Sequence, residues 1–281
     1  MSVVLEGITF EGAQNVVADV VRAQIQHAIR LGHPQVQPQG LQADRVVLVG
    51  SGPSLADTEA ELVRLVHEGV VLVTVNGAYE WCLERNLRPS AQIVLDARPS
   101  TARFVAREIP RCTYYVASQC HADVWATVAD YARVGIFHAL GDDDTAIKAE
   151  LDRYYAGQWH GVAGGTTVGS RAIGLLRTLG YLRFDLFGID CCWLDGAHHA
   201  FAQPENDSDT RLRFRIHPAS RPDLAREFDC SVWHAKQFED LLLFVKHLGH
   251  QVQLQAHGKG MFAYAIEALA TGDLTVDQIR G

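Results

Sequence analysis

Gly50-Ser51-Gly52-Pro53-Ser54-Leu55 follows an apolar run and opens a helical pattern. Its two glycines let the backbone approach a ligand closely. Pro53 suits the first helical position, where its missing N–H costs nothing. The free N–H groups beyond it would face an anion, which the helix dipole also favours. The turn is not a Walker A loop, because no Gly-Lys-Ser/Thr follows, and Leu55 stands where a dinucleotide fingerprint would place its third glycine. The plainer alternative is a tight strand–helix turn without a ligand. A second turn, Gly164-Gly165-Thr166-Thr167-Val168-Gly169-Ser170, also opens a helical pattern and adds two threonine hydroxyls. Two such turns suggest a ligand with more than one phosphate, or a nucleotide held between them. The alternative for the second is a helix capped by Thr166 or Thr167.

Three polar residues close apolar runs: Asn76 after VVLVTV, Asp96 after IVL, and Asp190 after DLFGI. In open parallel sheets the ligand crevice lies beyond the carboxyl ends of the strands. Acids there can orient a ribose or base, or hold Mg²⁺ with water and phosphate completing its shell. Each could also simply cap a helix. Histidines follow: His198 and His199 shortly after Asp190 and Asp195, and His234 at the start of a later helical pattern. Histidine is the usual proton shuttle near neutral pH. With 13 histidines in the chain, each alone has a structural alternative, but His198 and His234 border the expected crevice. The run Gly141–Asp144 reads as a loop that caps the next helix. The adjacent Cys191 and Cys192 read as packing residues rather than nucleophiles.

The elements that must position these residues are legible as an alternation. Val16, Val17, Val20, Val21, Ile25 and Ala28 mark an amphipathic N-terminal helix that Gly32 and Pro34 end. Residues Pro34–Gly40 read as a linker, so residues 1–40 form a helical extension and 41–281 an α/β domain. Apolar runs at 45–49, 70–75, 91–95, 113–117, 134–137, 184–187 and 251–255 suit strands buried on both faces. Helical patterns at 58–67, 78–84, 101–107, 122–131, 145–155, 168–179 and 233–247 separate them. This predicts a doubly wound, mostly parallel, Rossmann-like sheet with helices on both faces. Residues 203–229 break the rhythm, with few apolar residues and five arginines at 211, 213, 215, 221 and 226. That stretch is either a solvated loop or a flexible flap that closes on an anionic ligand.

Composition narrows the class. Hydrophobic residues at 48% and charged residues at 21% describe a globular chain rather than a disordered or fibrous one. A net charge of −8 argues against a duplex nucleic-acid binder. No apolar run spans a bilayer, and the first residues lack the pattern of a secretory signal. Six cysteines without a CxxC pair read as reduced thiols, so a cytoplasmic location is expected. The amphipathic first helix makes a homo-oligomer plausible.

The motifs VVLVGSGPSL (46–55), TVNGA (74–78), IVLD (93–96) and GGTTVGSRAIGLLRTLGYLRFDLFGIDCCWLDGAHHAF (164–201) resemble the MptE-like family. That family is named for archaeal 6-hydroxymethyl-dihydropterin diphosphokinases and includes motility-associated Maf proteins implicated in flagellin glycosylation. The same motif order is similar to bacterial lipooligosaccharide sialyltransferases, in which His234 falls near the catalytic histidine. The first resemblance implies a transferase with ATP or another nucleotide as co-substrate over Ser51–Ser54 and Gly165–Thr167. It implies Mg²⁺ at Asp96 and Asp190, with Asp190 placing a hydroxymethyl acceptor, His198 or His234 assisting proton removal, and flap arginines neutralising phosphoryl charge. The second implies a glycosyltransferase using a nucleotide-activated sugar with His234 as base. A non-catalytic nucleotide-binding protein is a third expectation.

Overall fold

The computed structural model describes residues 2–5, 8–11, 16–140, 145–203, 210–217, 222–248 and 251–270. In chain order these form β1 (Ser2–Leu5), β2 (Ile8–Glu11), α1 (Ala18–Arg30), β3 (Val46–Val49), α2 (Leu55–His67), β4 (Val71–Val75), α3 (Ala78–Glu84) and β5 (Ala91–Val94). Then come β6 (Thr113–Ala117), α4 (Ala122–Thr127), β7 (Val134–Ala139), α5 (Thr145–Tyr155), β8 (Gly161–Val162), α6 (Val168–Thr178) and β9 (Arg183–Phe187). The chain continues through β10 (Leu212–Ile216), β11 (Arg226–Cys230), α7 (Val232–Leu248), β12 (Gln253–Ala256) and α8 (Met261–Ala270). The fold is Rossmann-like α/β, with parallel strands, helices around them and an N-terminal helix. The chain forms two compact units, one of Met1–Ala13, Asp44–Val71 and Leu182–Gly281, the other of Gln14–Ala43 and Leu72–Tyr181.

In the first unit three strands run parallel in the order β12-β9-β3. Every residue of β3 is buried, as a run of Val and Leu without polar alternation requires. The run 251–255 was expected to be buried on both faces. Instead β12 starts at Gln253 and alternates exposed and half-buried residues, because it is an edge strand with β9 on one side. A buried acid ties the three strands together. Asp185 on β9 is fully buried, in register with Val47 of β3 and Gln255 of β12. Arg45 pairs with its carboxylate and also donates to Gln255 Oε1 at 2.9 Å. His257 Nε2 lies 2.8 Å from Asp185 Oδ1, and its ring stacks on Phe187 with centroids 4.1 Å apart. A buried carboxylate is tolerated only with such partners.

The arginine-rich stretch contains an antiparallel ribbon, β10 paired with β11. Leu212, Phe214 and Ile216 are half-buried while Arg211, Arg213 and Arg215 are exposed, a period-two pattern carried by few apolar residues. Arg213 Nε donates to Asp229 Oδ1 across the ribbon at 2.8 Å. Arg221 lies outside the described residues, as does the run Gly141–Asp144.

In the second unit the parallel order is β4-β5-β6-β7-β8. Helix α1 buries Ile25, Ala28 and Ile29 there, and Gln24 Nε2 donates to Ala97 O at 3.1 Å. The segment read as a linker uses its backbone: Val36 N donates to Ile136 O at 2.8 Å, and Ile136 N to Pro34 O at 2.9 Å. The helical pattern at 101–107 is a 3₁₀ helix, Pro99–Val105. All six cysteines are buried free thiols, and burial pushes Cys192 up to about 12, which makes it a poor nucleophile. Among the described residues no helix is long and apolar enough to cross a membrane.

Candidate functional site

The first glycine turn sits in the first unit, where β3 ends and α2 begins. Its backbone runs beside the chain leaving β9: Gly50 N donates to Phe187 O and Gly52 N to Gly188 O, both at 2.8 Å. The glycines are needed for this approach. A Cβ at Gly50 would stand 2.5 Å from Gly188 O, and one at Gly52 would stand 2.3 Å from Asp190 Oδ2. Asp190 is 3% exposed and accepts the Ser54 N–H on Oδ2 at 2.9 Å. Gly260 packs against its other oxygen, where a Cβ would come within 2.5 Å of Oδ1. Burial in this glycine box raises the Asp190 carboxyl to about 6, although its contact with Ser54 pulls the other way. Part of the donor set expected to face a phosphate is therefore turned inward onto Asp190. Ser51, Gly52 and Pro53 stay partly exposed at the rim, whereas Ser54 is buried.

Three histidines gather next to this turn. Ala200 N donates to Ser51 O at 2.9 Å, which fastens the 198–200 segment to the glycine loop. His198 Nδ1 and His199 Nε2 are 2.9 Å apart. The rings of His198 and His234 stack with centroids 4.3 Å apart and an interplanar angle of 23°. Trp193 meets His198 edge-on at 4.7 Å, and the Arg211 guanidinium lies over the Trp193 ring at 4.1 Å. Arg211, the only flap arginine that reaches this cluster among those described, also donates to Gly196 O at 3.0 Å. Burial is the main cause that lowers His198 to about 4, with His199 and Arg211 adding to it. Burial likewise lowers His234 to about 3, with His198 and His199 adding to it. Both rings are therefore neutral near pH 7.

The start of α7 sets the tautomer of His234. Ser231 Oγ accepts the His234 N–H at 3.2 Å, and His234 Nδ1 accepts the Ser231 N–H at 3.3 Å. This is a capping box with histidine in the place usually taken by Glu or Gln. A neutral ring whose Nδ1 accepts carries its proton on Nε2, so His234 offers a donor there. Ser231 and Trp193 were missed at the sequence level. The Ser-x-x-His spacing before an apolar run was the signal that could have found Ser231.

The other candidates lie in the second unit. Asn76 ends β4 at a left-handed φ of 46°, and its buried Oδ1 has no hydrogen-bond partner. Asp96 follows β5, and the Arg98 side chain donates to both of its carboxylate oxygens, with Nη2 at 2.5 Å from Oδ2. Magnesium keeps several waters and needs accessible carboxylate oxygen. Asp190 is boxed in by glycines, whereas the half-buried Asp96 is engaged by Arg98. Thr167 caps α6 by accepting the Ser170 N–H at 3.4 Å. Gly164 has φ 140°, and a Cβ on it would stand 2.9 Å from Arg171 Cα, so it brings the turn down onto α6. Gly165 and Thr166 are half-buried in the same turn. Arg171 fixes the turn's approach by donating to Leu140 O at 3.1 Å and Val162 O at 2.7 Å.

Parallel strands with helices around them, a glycine turn, a strand-end acid and a histidine cluster define a Rossmann-like α/β protein. The profile of the family described as "6-hydroxymethylpterin diphosphokinase MptE-like" matches residues 25–196, well over half of the chain. The chain belongs to the MptE-like family. None of the curated proteins matches it. Among solved structures it is similar to the Maf glycosyltransferase of Magnetospirillum magneticum AMB-1, with 14% identity and a TM-score of 0.62. That likeness covers 93% of this chain and 42% of the other, so the chain spans less than half of that protein's length. A mammalian sialyltransferase in complex with Gal-β-1-3GalNAc-ortho-nitrophenol matches over 70% of this chain and 74% of its own, with 15% identity and a TM-score of 0.35. The family match supports a transferase.

Proposed function

We propose that the first unit binds a nucleotide-activated sugar and that the chain transfers the sugar to a hydroxyl acceptor. The observation that carries this reading is the Ser231–His234 capping box, which holds a neutral histidine with its Nε2–H as donor beside the glycine turn. In glycosyl transfer the bond from the anomeric carbon to the phosphate oxygen breaks and its electron pair stays on the phosphate. A preorganised N–H donor in a water-poor site stabilises that developing charge. The reading needs no metal ligand, which suits the inward-facing Asp190. His198 is unprotonated near pH 7, as the acceptor of the hydroxyl proton must be, though burial weakens it as a base. Trp193, held under Arg211, walls the histidines. The likeness of fold to the Maf glycosyltransferase agrees with this reading.

A second reading follows from the family description: diphosphate transfer from Mg²⁺-ATP to a hydroxymethyl acceptor. Thermal-shift titrations separate the two. ATP, CMP, UMP and their sugar conjugates would each be tested with and without Mg²⁺. A ligand at a hundredfold its Kd stabilises the fold by about 2.7 kcal/mol. A metal-independent shift with a nucleotide sugar that is lost in His234→Ala supports glycosyl transfer. A shift seen only with ATP and Mg²⁺ overturns it in favour of the second reading.

A further inference from the structure

The loop His257-Gly258-Lys259-Gly260 joins β12 to α8 and packs on the glycine turn of the first unit. Both of its glycines are set by that contact. Gly258 takes a left-handed φ of 105°, and a Cβ on it would stand 2.4 Å from Ser54 Oγ. A Cβ on Gly260 would meet Asp190. The loop is fastened on either side of Lys259. His257 N donates to Leu186 O at 2.9 Å, and Phe262 N to Asp190 O at 3.3 Å. The His257 ring lies between two carboxylates, with Nε2 2.8 Å from Asp185 Oδ1 and Nδ1 3.1 Å from Glu61 Oε2 on α2. Lys259 therefore stands between two glycines that press on the end of the turn and on the strand-end acid.

Its side chain is held loosely. Lys259 Nζ lies 3.5 Å from Asp57 Oδ2 in the first turn of α2, and the two side chains are 80% and 61% exposed. A pair this exposed is worth little, so an anion can draw the ammonium away at small cost. Two other cations of this unit are already engaged: Arg45 with the buried Asp185, and Arg211 over the Trp193 ring. A departing phosphate gathers negative charge, and a neutral His234 N–H supplies no net positive charge to balance it. A mobile ammonium does, through a charge-assisted hydrogen bond.

We propose that Lys259 is a phosphate-binding residue, its ammonium leaving Asp57 to pair with the phosphate of a nucleotide seated on the partly exposed rim Ser51–Pro53. This rests on reading the glycine turn as the phosphate side of the site, which both transfer reactions share.

Calorimetric titration of the full chain tests it, with AMP, CMP and UMP as probes and the uncharged nucleosides adenosine, cytidine and uridine beside them. Lys259→Gln should weaken binding of the nucleotide about tenfold and leave its nucleoside unchanged. Lys259→Arg keeps a cation there and should restore most of the lost affinity. The wild-type affinity should fall as salt is raised, and less steeply in Lys259→Gln. Nucleotide binding that is equal in wild type and Lys259→Gln overturns the proposal and leaves the reading of the turn standing. An equal loss for nucleotide and nucleoside overturns it too, since that marks a structural role. Wild-type protein that binds none of the three nucleotides removes the reading of the turn and the proposal with it.

Discussion

Ser54 gives its backbone N–H to Asp190 Oδ2 at 2.9 Å, and this single bond joins the start of α2 to the end of the β9 segment. The carboxylate that accepts it is nearly fully buried and has no cationic partner among the described residues, and this burial raises its carboxyl to about 6. Asp190→Asn keeps an acceptor for Ser54 and removes the buried charge. At pH 7 it is expected to melt at or above the wild-type temperature. Asp190→Ala leaves the Ser54 N–H unpaired and should lose about 1–3 kcal/mol. Urea denaturation of the two variants checks this. An equal loss in Asp190→Asn and Asp190→Ala would show that the charge itself, rather than the neutral acceptor, holds the loop.

Acid should destabilise the protein from about pH 6.5 downward, the ordinary histidine value. Burial lowers His138 and His198 to about 4 and His234 to about 3 in the folded chain. The unfolded chain therefore binds these protons first, and stability is lost as pH falls from 6.5 toward those values. Each contributes a limiting slope of about 1.4 kcal/mol per pH unit. Asp190 works in the opposite sense: raised to about 6, it takes up a proton in the folded state before the unfolded state does. It offsets part of the loss below pH 6. Melting temperatures between pH 8 and pH 4 should fall on acidification, and more steeply in Asp190→Asn.

Glycine is required where the loop meets Asp190 but not at position 40. Gly52→Ala would place a Cβ 2.3 Å from Asp190 Oδ2. Overpacking of this kind costs about 1–3 kcal/mol, and here it should also abolish any nucleotide-induced thermal shift. Gly40 has nothing within 4 Å of its Cβ position and no left-handed φ. Gly40→Ala should be neutral or stabilise by about 0.4–1 kcal/mol. Equal stability of the two variants would mean that the turn relaxes freely.

The Arg45–Asp185–His257 cluster makes a separate prediction about folding. Asp185 is fully buried, and its partners come from the residue before β3 and the residue after β12. Asp185→Ala removes the acceptor from both and should cost about 3–5 kcal/mol, the usual result of breaking a buried pair. Chemical denaturation measures it. Arg45 is partly exposed, so Arg45→Met should cost less.

Much of the fold was readable because fully buried parallel strands leave continuous apolar runs. β3, β4, β5, β6, β7 and β9 each begin within a residue of the runs that predicted them. The ribbon β10–β11 escaped because its alternating pattern mixes three half-buried apolar residues with exposed arginines. The last helix, α8, was not expected, and the glycines before it, Gly258 and Gly260, pack on Ser54 and Asp190. The glycine turns, the strand-end acids and the histidines were all visible as residue types. Their partners were not.

Residue type and local spacing were enough to establish the α/β class, the glycine turn before α2 and the histidines that follow Asp190, since backbone sterics and apolar periodicity act over a few residues. Packing between distant segments decided the rest. It turned the Ser54 N–H inward onto Asp190, tied Asp96 to Arg98, and stacked His234 on His198. Burial and hydrogen bonding, which shift a proton equilibrium or consume a donor, depend on residues brought together across the chain: 136 positions separate Ser54 from Asp190.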